Sequence, residues 1–81
     1  MHETLNEVVS VVVAFAGTKV KPIAFNWRGK TYRVEHLNLV HHQRTGRDML
    51  YHFNVSDSAN YFKLSFSTGD LSWRITEIWS E

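Results

Sequence analysis

The strongest constraint in this sequence is a period of two. Apolar and polar residues alternate along most of the chain, in short runs broken by a single glycine or a few small polar residues. Successive side chains of a β-strand point to opposite faces, so this pattern buries one face of a sheet and wets the other. The clearest run, Tyr61-Phe62-Lys63-Leu64-Ser65-Phe66, puts Phe62, Leu64 and Phe66 on one side. Beyond Thr68-Gly69, Leu71-Ser72-Trp73-Arg74-Ile75 does the same with Leu71, Trp73 and Ile75. Setting Phe66 opposite Leu71, Leu64 opposite Trp73 and Phe62 opposite Ile75 gives a hairpin whose six apolar residues share a face.

Upstream, Tyr51, Phe53 and Val55 alternate with His52 and Asn54, and Asp57-Ser58-Ala59-Asn60 connects them to the next strand. Ile23, Phe25 and Trp27 alternate with Ala24 and Asn26. Arg28-Gly29 makes a tight turn in which Gly29 supplies a positive φ, and Tyr32 and Val34 follow. The stretch over residues 31–42 changes parity from Tyr32 and Val34 to Leu37 and Leu39, which predicts a bulge near Glu35-His36. Residues 8–16 read two ways. Thr4-Leu5-Asn6-Glu7 has the form of a helix capping box, with Leu5, Val8, Val12 and Phe15 on a helical stripe. The crowd of valines and the turn Ala16-Gly17-Thr18 favour a strand.

The expectation is one all-β domain over residues 1–81, a small six-stranded antiparallel meander. It is barrel-like, SH3-like or a bent sheet, with a helical N-terminal segment as the alternative. Its expected core is Ile23, Phe25, Trp27, Tyr32, Val34, Phe53, Phe62, Leu64, Phe66, Leu71, Trp73 and Ile75. Composition agrees: 43% hydrophobic residues against 21% charged is the balance of a folded domain, not a disordered chain. With no cysteine, disulfides, thiolate zinc sites and cysteine nucleophiles are excluded. No apolar run approaches the roughly 20 residues of a spanning helix. Met1-His2-Glu3-Thr4 lacks the basic start of a signal peptide, so a cytoplasmic location is expected.

The series Pro22-x-x-Phe25-x-Trp27-Arg28-Gly29-x-x-Tyr32-x-Val34, with the later Trp73-Arg74-Ile75-Thr76-Glu77-Ile78, resembles a family of small prokaryotic β proteins. Those proteins carry an F-x-W-R-G-x-x-Y-x-V hairpin and have no assigned activity. The chain departs from their pattern at His41-His42-Gln43-Arg44-Thr45-Gly46-Arg47. The resemblance implies a β fold and no particular chemistry.

Catalytic patterns are missing. The histidines are His2, His36, His41, His42 and His52; neighbours on a strand face opposite ways, so His41 and His42 do not share a metal. His41 and His52 can reach a common face across a strand pair, as two ligands without an acidic third, where catalytic zinc takes three. Ser56, Ser58, Ser65, Ser67 and Ser72 lie in no nucleophile-elbow motif. Glycines 17, 29, 46 and 69 are isolated, unlike a phosphate-binding loop. Glu35 and Glu77 fall on solvent-facing parities, and Asp48, Asp57 and Asp70 on loops or strand ends, so no carboxylate pair is set up. The expectation is a protein that is not an enzyme, with no cofactor and no resident metal.

Charge is more informative. Residues 19–47 hold Lys19, Lys21, Arg28, Lys30, Arg33, Arg44 and Arg47 against the single acid Glu35, a local charge of +6. The rest of the chain carries −5, so a total of +1 conceals two halves of opposite sign. In a meander alternate turns lie at one end of the sheet. Lys19, Lys21, Arg44 and Arg47, with His41 and His42, are therefore expected to form a basic pole, with Arg28 and Lys30 at the other end. Such a pole suits a small binding module with an acidic protein partner or a second copy of itself. The alternative is a nucleic-acid accessory domain, with phosphates on the basic loops and bases stacked on Tyr61 or Trp79. Self-association has its own expected route, through residues 8–16 (Val8 to Ala16) as an edge strand apolar on both faces.

Overall fold

The computed structural model describes residues 1–80. Its strands are β1 (His2–Ala16), β2 (Lys19–Trp27), β3 (Lys30–Arg33), β4 (His36–Thr45), β5 (Asp48–Ser56), β6 (Asn60–Ser67) and β7 (Ser72–Ser80). They form one antiparallel sheet in the order β3-β2-β1-β7-β6-β5-β4, curled but not closed into a barrel. No helix forms among the described residues, and none is therefore long and apolar enough to cross a membrane.

The all-β expectation holds, with three corrections to its detail. First, of the two readings of the N-terminal segment the strand, which its valines favour, is the one that forms, and the helical alternative falls. The β-branched side chains of Val8, Val9, Val11, Val12 and Val13 fit a pleated surface better than a helix turn. Second, β1 is not an edge strand. Its first half pairs with β7 (Val9 opposite Trp73) and its second half with β2 (Ser10 opposite Asn26). Each half of β1 is paired on one side, Val8 and Val9 with β7 and Ser10 to Ala16 with β2. The stretch over residues 8–16 is thus an inner strand of the sheet and not the free first strand the pattern suggests.

Third, there are seven strands and not six. The expected bulge at Glu35-His36 is a break: Val34 and Glu35 leave the ladder, and the chain crosses from one outer strand to the other. Two hydrogen bonds hold the crossing. Val34 N–H donates to the Ile23 carbonyl at 2.8 Å, and Glu35 N–H donates to the Ser56 carbonyl at 2.9 Å. The parity change comes later, at Asn38, where Leu37 faces Val55 but Leu39 faces Asn54.

The core consists of Val9, Phe25, Trp27, Phe53, Val55, Phe62, Leu64 and Ile75. Phe62 meets Phe25 edge-on at 5.0 Å and Tyr32 at 5.3 Å, the tilted geometry aromatic rings prefer. Tyr32, Val34, Phe66 and Trp73 pack against this cluster partly buried. Two expected core residues are outside it. Ile23 sits at a bulge, since Val12 pairs with Ala24 and Val13 with Pro22, and is 43% exposed. Leu71 lies in the β6–β7 turn with φ of 58° and is 72% exposed.

That turn also resets the hairpin register. Phe66 pairs with Trp73, Leu64 with Ile75 and Phe62 with Ile78, one pleat repeat from the expected alignment at Phe66 and Leu64. The Asp70 carboxylate explains the longer loop, accepting from Ser72 N–H at 3.1 Å and Ser72 Oγ–H at 2.7 Å. A slip of two residues preserves parity, so the facing of Phe62, Leu64, Phe66, Trp73 and Ile75 survives.

The Arg28-Gly29 turn takes the expected form. Trp27 pairs with Lys30, and Arg28 and Gly29 have φ of 53° and 78°, the two left-handed residues of a type I′ hairpin. The strain of a left-handed arginine is offset by Glu7. Arg28 donates to it from Nη2 at 2.6 Å and Nε at 3.1 Å, and Trp27 Nε1–H donates at 2.9 Å. The Arg28 and Trp27 hydrogen bonds hold the Glu7 carboxyl below its usual pKa.

Candidate functional site

The sheet fails to close because β3 is short. Its four residues pair with β2 only from Ala24 to Trp27, so the outer edge of β2 over residues 19–22 has no strand beside it. On the far side, β4 pairs with β5 alone, and all ten of its residues are exposed. From the crossing at Val34 and Glu35, β2 and β4 diverge. Between them lies an apolar cleft of about 700 Å³.

Its floor is aromatic. Trp73 lies 5.3 Å from Phe53 and 5.0 Å from Phe66, with Tyr51 beside them. Leu37 and Val40 form the β4 wall; Val13, Phe15 and Val20 form the β1–β2 wall. Phe15 is 77% exposed and Val40 44%, a high exposure for residues of this type. Thr18, Lys19 and Lys21 line the hairpin side, and among the described residues no acidic side chain lines the cleft. A concave, mainly apolar surface with a few polar groups at its margin is the ordinary form of a binding site.

The expected basic pole is partly assembled here. Lys19 and Lys21 border the cleft. β1 and β4 run in the same direction in the sheet, so the Gly17-Thr18 and Gly46-Arg47 turns share one end, with Arg44 nearby on β4. The two histidines separate. His42 packs on Tyr51 at 5.6 Å, on the cleft parity, whereas His41 is on the outer face, 4.8 Å from His52. Tyr61 and Trp79 are cross-strand partners at the Ser56 end of the sheet. Strand rise puts Tyr61 about 20 Å along β6 from the basic turns. Trp79 there stacks on His2 at 4.8 Å, and His2 in turn bonds Glu77 at 2.9 Å.

On the outer face, His52 Nδ1 and the buried Ser65 hydroxyl are 2.8 Å apart. Burial, the Lys63 ammonium and His41 lower the His52 pKa, which keeps the imidazole neutral at neutral pH. Among the described residues no carboxylate hydrogen-bonds this imidazole, and no cluster of three or more His, Asp or Glu side chains is placed to hold a metal. The His41–His52 pair, directly opposite each other and not diagonal as the pattern suggested, stands as two imidazoles.

Sequence patterning located the lysines but not the cleft. Phe15, Val20, Val40 and Trp73 read as ordinary strand residues. The available signal was the stretch over residues 31–42, too long for one strand and apolar on both parities around Leu39 and Val40. Comparison of the chain with protein-family models, curated proteins and solved structures gave no match.

Proposed function

We propose that this chain is a non-enzymatic binding module whose cleft between β2 and β4 takes an apolar segment of a protein partner carrying acidic residues. The observation that supports this is one juxtaposition: an open aromatic-floored cleft bordered by Lys19 and Lys21 and lined, among the described residues, by no acidic side chain. Apolar contact supplies affinity, and the flanking cations select acidic over basic segments and steer encounter.

The first test uses anilinonaphthalene sulfonate, an apolar anion that fluoresces when removed from water. Saturable binding is expected, weakened at least several-fold by Val40→Asp and by the double change Lys19→Glu, Lys21→Glu. Binding untouched by either would refute the cleft as the site. A labelled single-stranded oligonucleotide provides the contrast. If it binds with a steep salt dependence that Arg44→Ala with Arg47→Ala reduces, and Val40→Asp leaves unchanged, the nucleic-acid reading replaces this one.

A further inference from the structure

The cleft is bounded by two strand edges, and these differ in how they treat an incoming backbone. The β2 edge is blunted. Pro22 has no N–H to donate, and the bulge at Ile23 breaks the ladder next to it. The β4 edge is open. Its bulge lies near its start, at Asn38, and from Leu39 to Thr45 the pairing with β5 is regular and unbroken. That stretch contains no proline, and its one Lys or Arg is Arg44 near its end. Leu39 to Gln43 thus carry neither of the guards, proline or a Lys/Arg charge, by which natural sheets blunt an edge. Unpaired N–H and C=O groups are therefore presented beside an apolar trough whose wall includes Val40 of the same strand.

We propose that the gap between β2 and β4 is a strand-addition site, in which an extended acidic segment of a partner protein pairs with the outer edge of β4 and sends alternate side chains into the cleft. This rests on the binding reading above and specifies its geometry. The pleat turns every second residue of an added strand inward, so about six residues place three side chains in the trough. Main-chain hydrogen bonds to β4 supply affinity, and the inward side chains supply selection. Charge fixes the class of segment. Over residues 19–47 the only acid is Glu35, which lies at the closed crossing. At the open end Lys19, Lys21, Arg44 and Arg47 outnumber Asp48 of the β4–β5 turn and Asp70 of the neighbouring β6–β7 turn. The open end of the gap is cationic, and a segment with carboxylates at its end complements it. Added there, the strand covers Leu37 and Val40.

The test titrates the full chain with a pool of eight-residue peptides, glutamate at both ends and alternating apolar and threonine positions between, and follows amide exchange. At a peptide concentration about ten times Kd, alternate amides of residues 39–45 are expected to exchange about tenfold more slowly. The same peptides N-methylated on the strand edge, with side chains unchanged, are expected to lose binding, as are versions with lysine in place of glutamate. Three outcomes overturn the proposal: no peptide binding while the sulfonate dye still binds, binding without β4 protection, or equal binding of N-methylated peptides. If the unliganded chain is a dimer by light scattering with those same amides already protected, a second copy occupies the edge and the partner assignment falls. Failure of the dye to bind at all would instead remove the cleft reading beneath it.

Discussion

The two ends of this small sheet are built on opposite terms. Around Phe25, Phe62, Leu64 and Ile75 the strands are paired on both sides, the rings interlock, and each of these side chains is at most 1% exposed. At the other end Phe15 and Val40 stand in the open beside an unpaired edge. The contrast shows how a domain of 81 residues divides its apolar surface. One part is committed to holding the fold, and another is left uncovered at a position where the backbone is also unpaired. A small domain has little apolar surface to spare, and the uncovered part beside an unpaired edge is the surface on which the binding proposal stands.

Substitutions should separate the two ends by size of effect. Leu64→Ala, in the closed end, is expected to cost about 2–5 kcal/mol in urea unfolding, the range for a fully buried leucine. A loss under about 1 kcal/mol would mean that the core is looser than its packing. Gly46→Ala, in the β4–β5 turn at φ of 65°, should cost about 1 kcal/mol through backbone strain. Because it leaves the cleft walls alone, dye binding should not change.

Two titrations give smaller effects. Glu7 ties β1 to the Arg28 turn, and its pKa is lowered in the folded chain from 4.5. Deprotonation therefore favours the folded state. Its contribution is present above about pH 4.5 and is lost as pH falls through the lower folded value. Glu7→Gln should lower Tm at neutral pH, with the difference from the parent narrowing in acid; a constant difference would contradict the role given to its charge. His52 has its pKa lowered from 6.5, so the unfolded chain takes up this proton first. The stability it supports is intact above about pH 6.5 and declines as pH falls toward the folded value. His52→Asn should flatten that part of the stability profile. The smallest effect on stability belongs to the open end: Phe15→Ser should fall within about 0.5 kcal/mol of the parent while weakening dye binding.

Much of the fold is legible without coordinates because it depends on parity and on turn chemistry, both local. Phe62, Leu64, Phe66, Trp73 and Ile75 face together in either register, and Arg28-Gly29 can hardly be other than a tight turn. Ile23 and Leu71 were misplaced for local reasons the pattern does not display. One sits at a bulge, and the other is drawn into a loop by the Asp70 side chain. Of the candidate site, Lys19 and Lys21 were legible from charge, whereas its aromatic floor was not. Trp73 lines the cleft only because nothing crosses in front of it.

The sequence by itself determined that this chain forms an antiparallel sheet, where most of its turns fall, and that its positive charge gathers between residues 19 and 47. Alternation, glycine and charge act over a few residues, and each is written in the order of the chain. Only the tertiary structure decided that the sheet stays open. That outcome depends on the break at Val34 and Glu35, which ends β3 after four residues and moves the chain to the far edge. Whether a strand edge finds a partner is settled by the competition of distant segments for the same hydrogen bonds, and no run of neighbouring residues records the result.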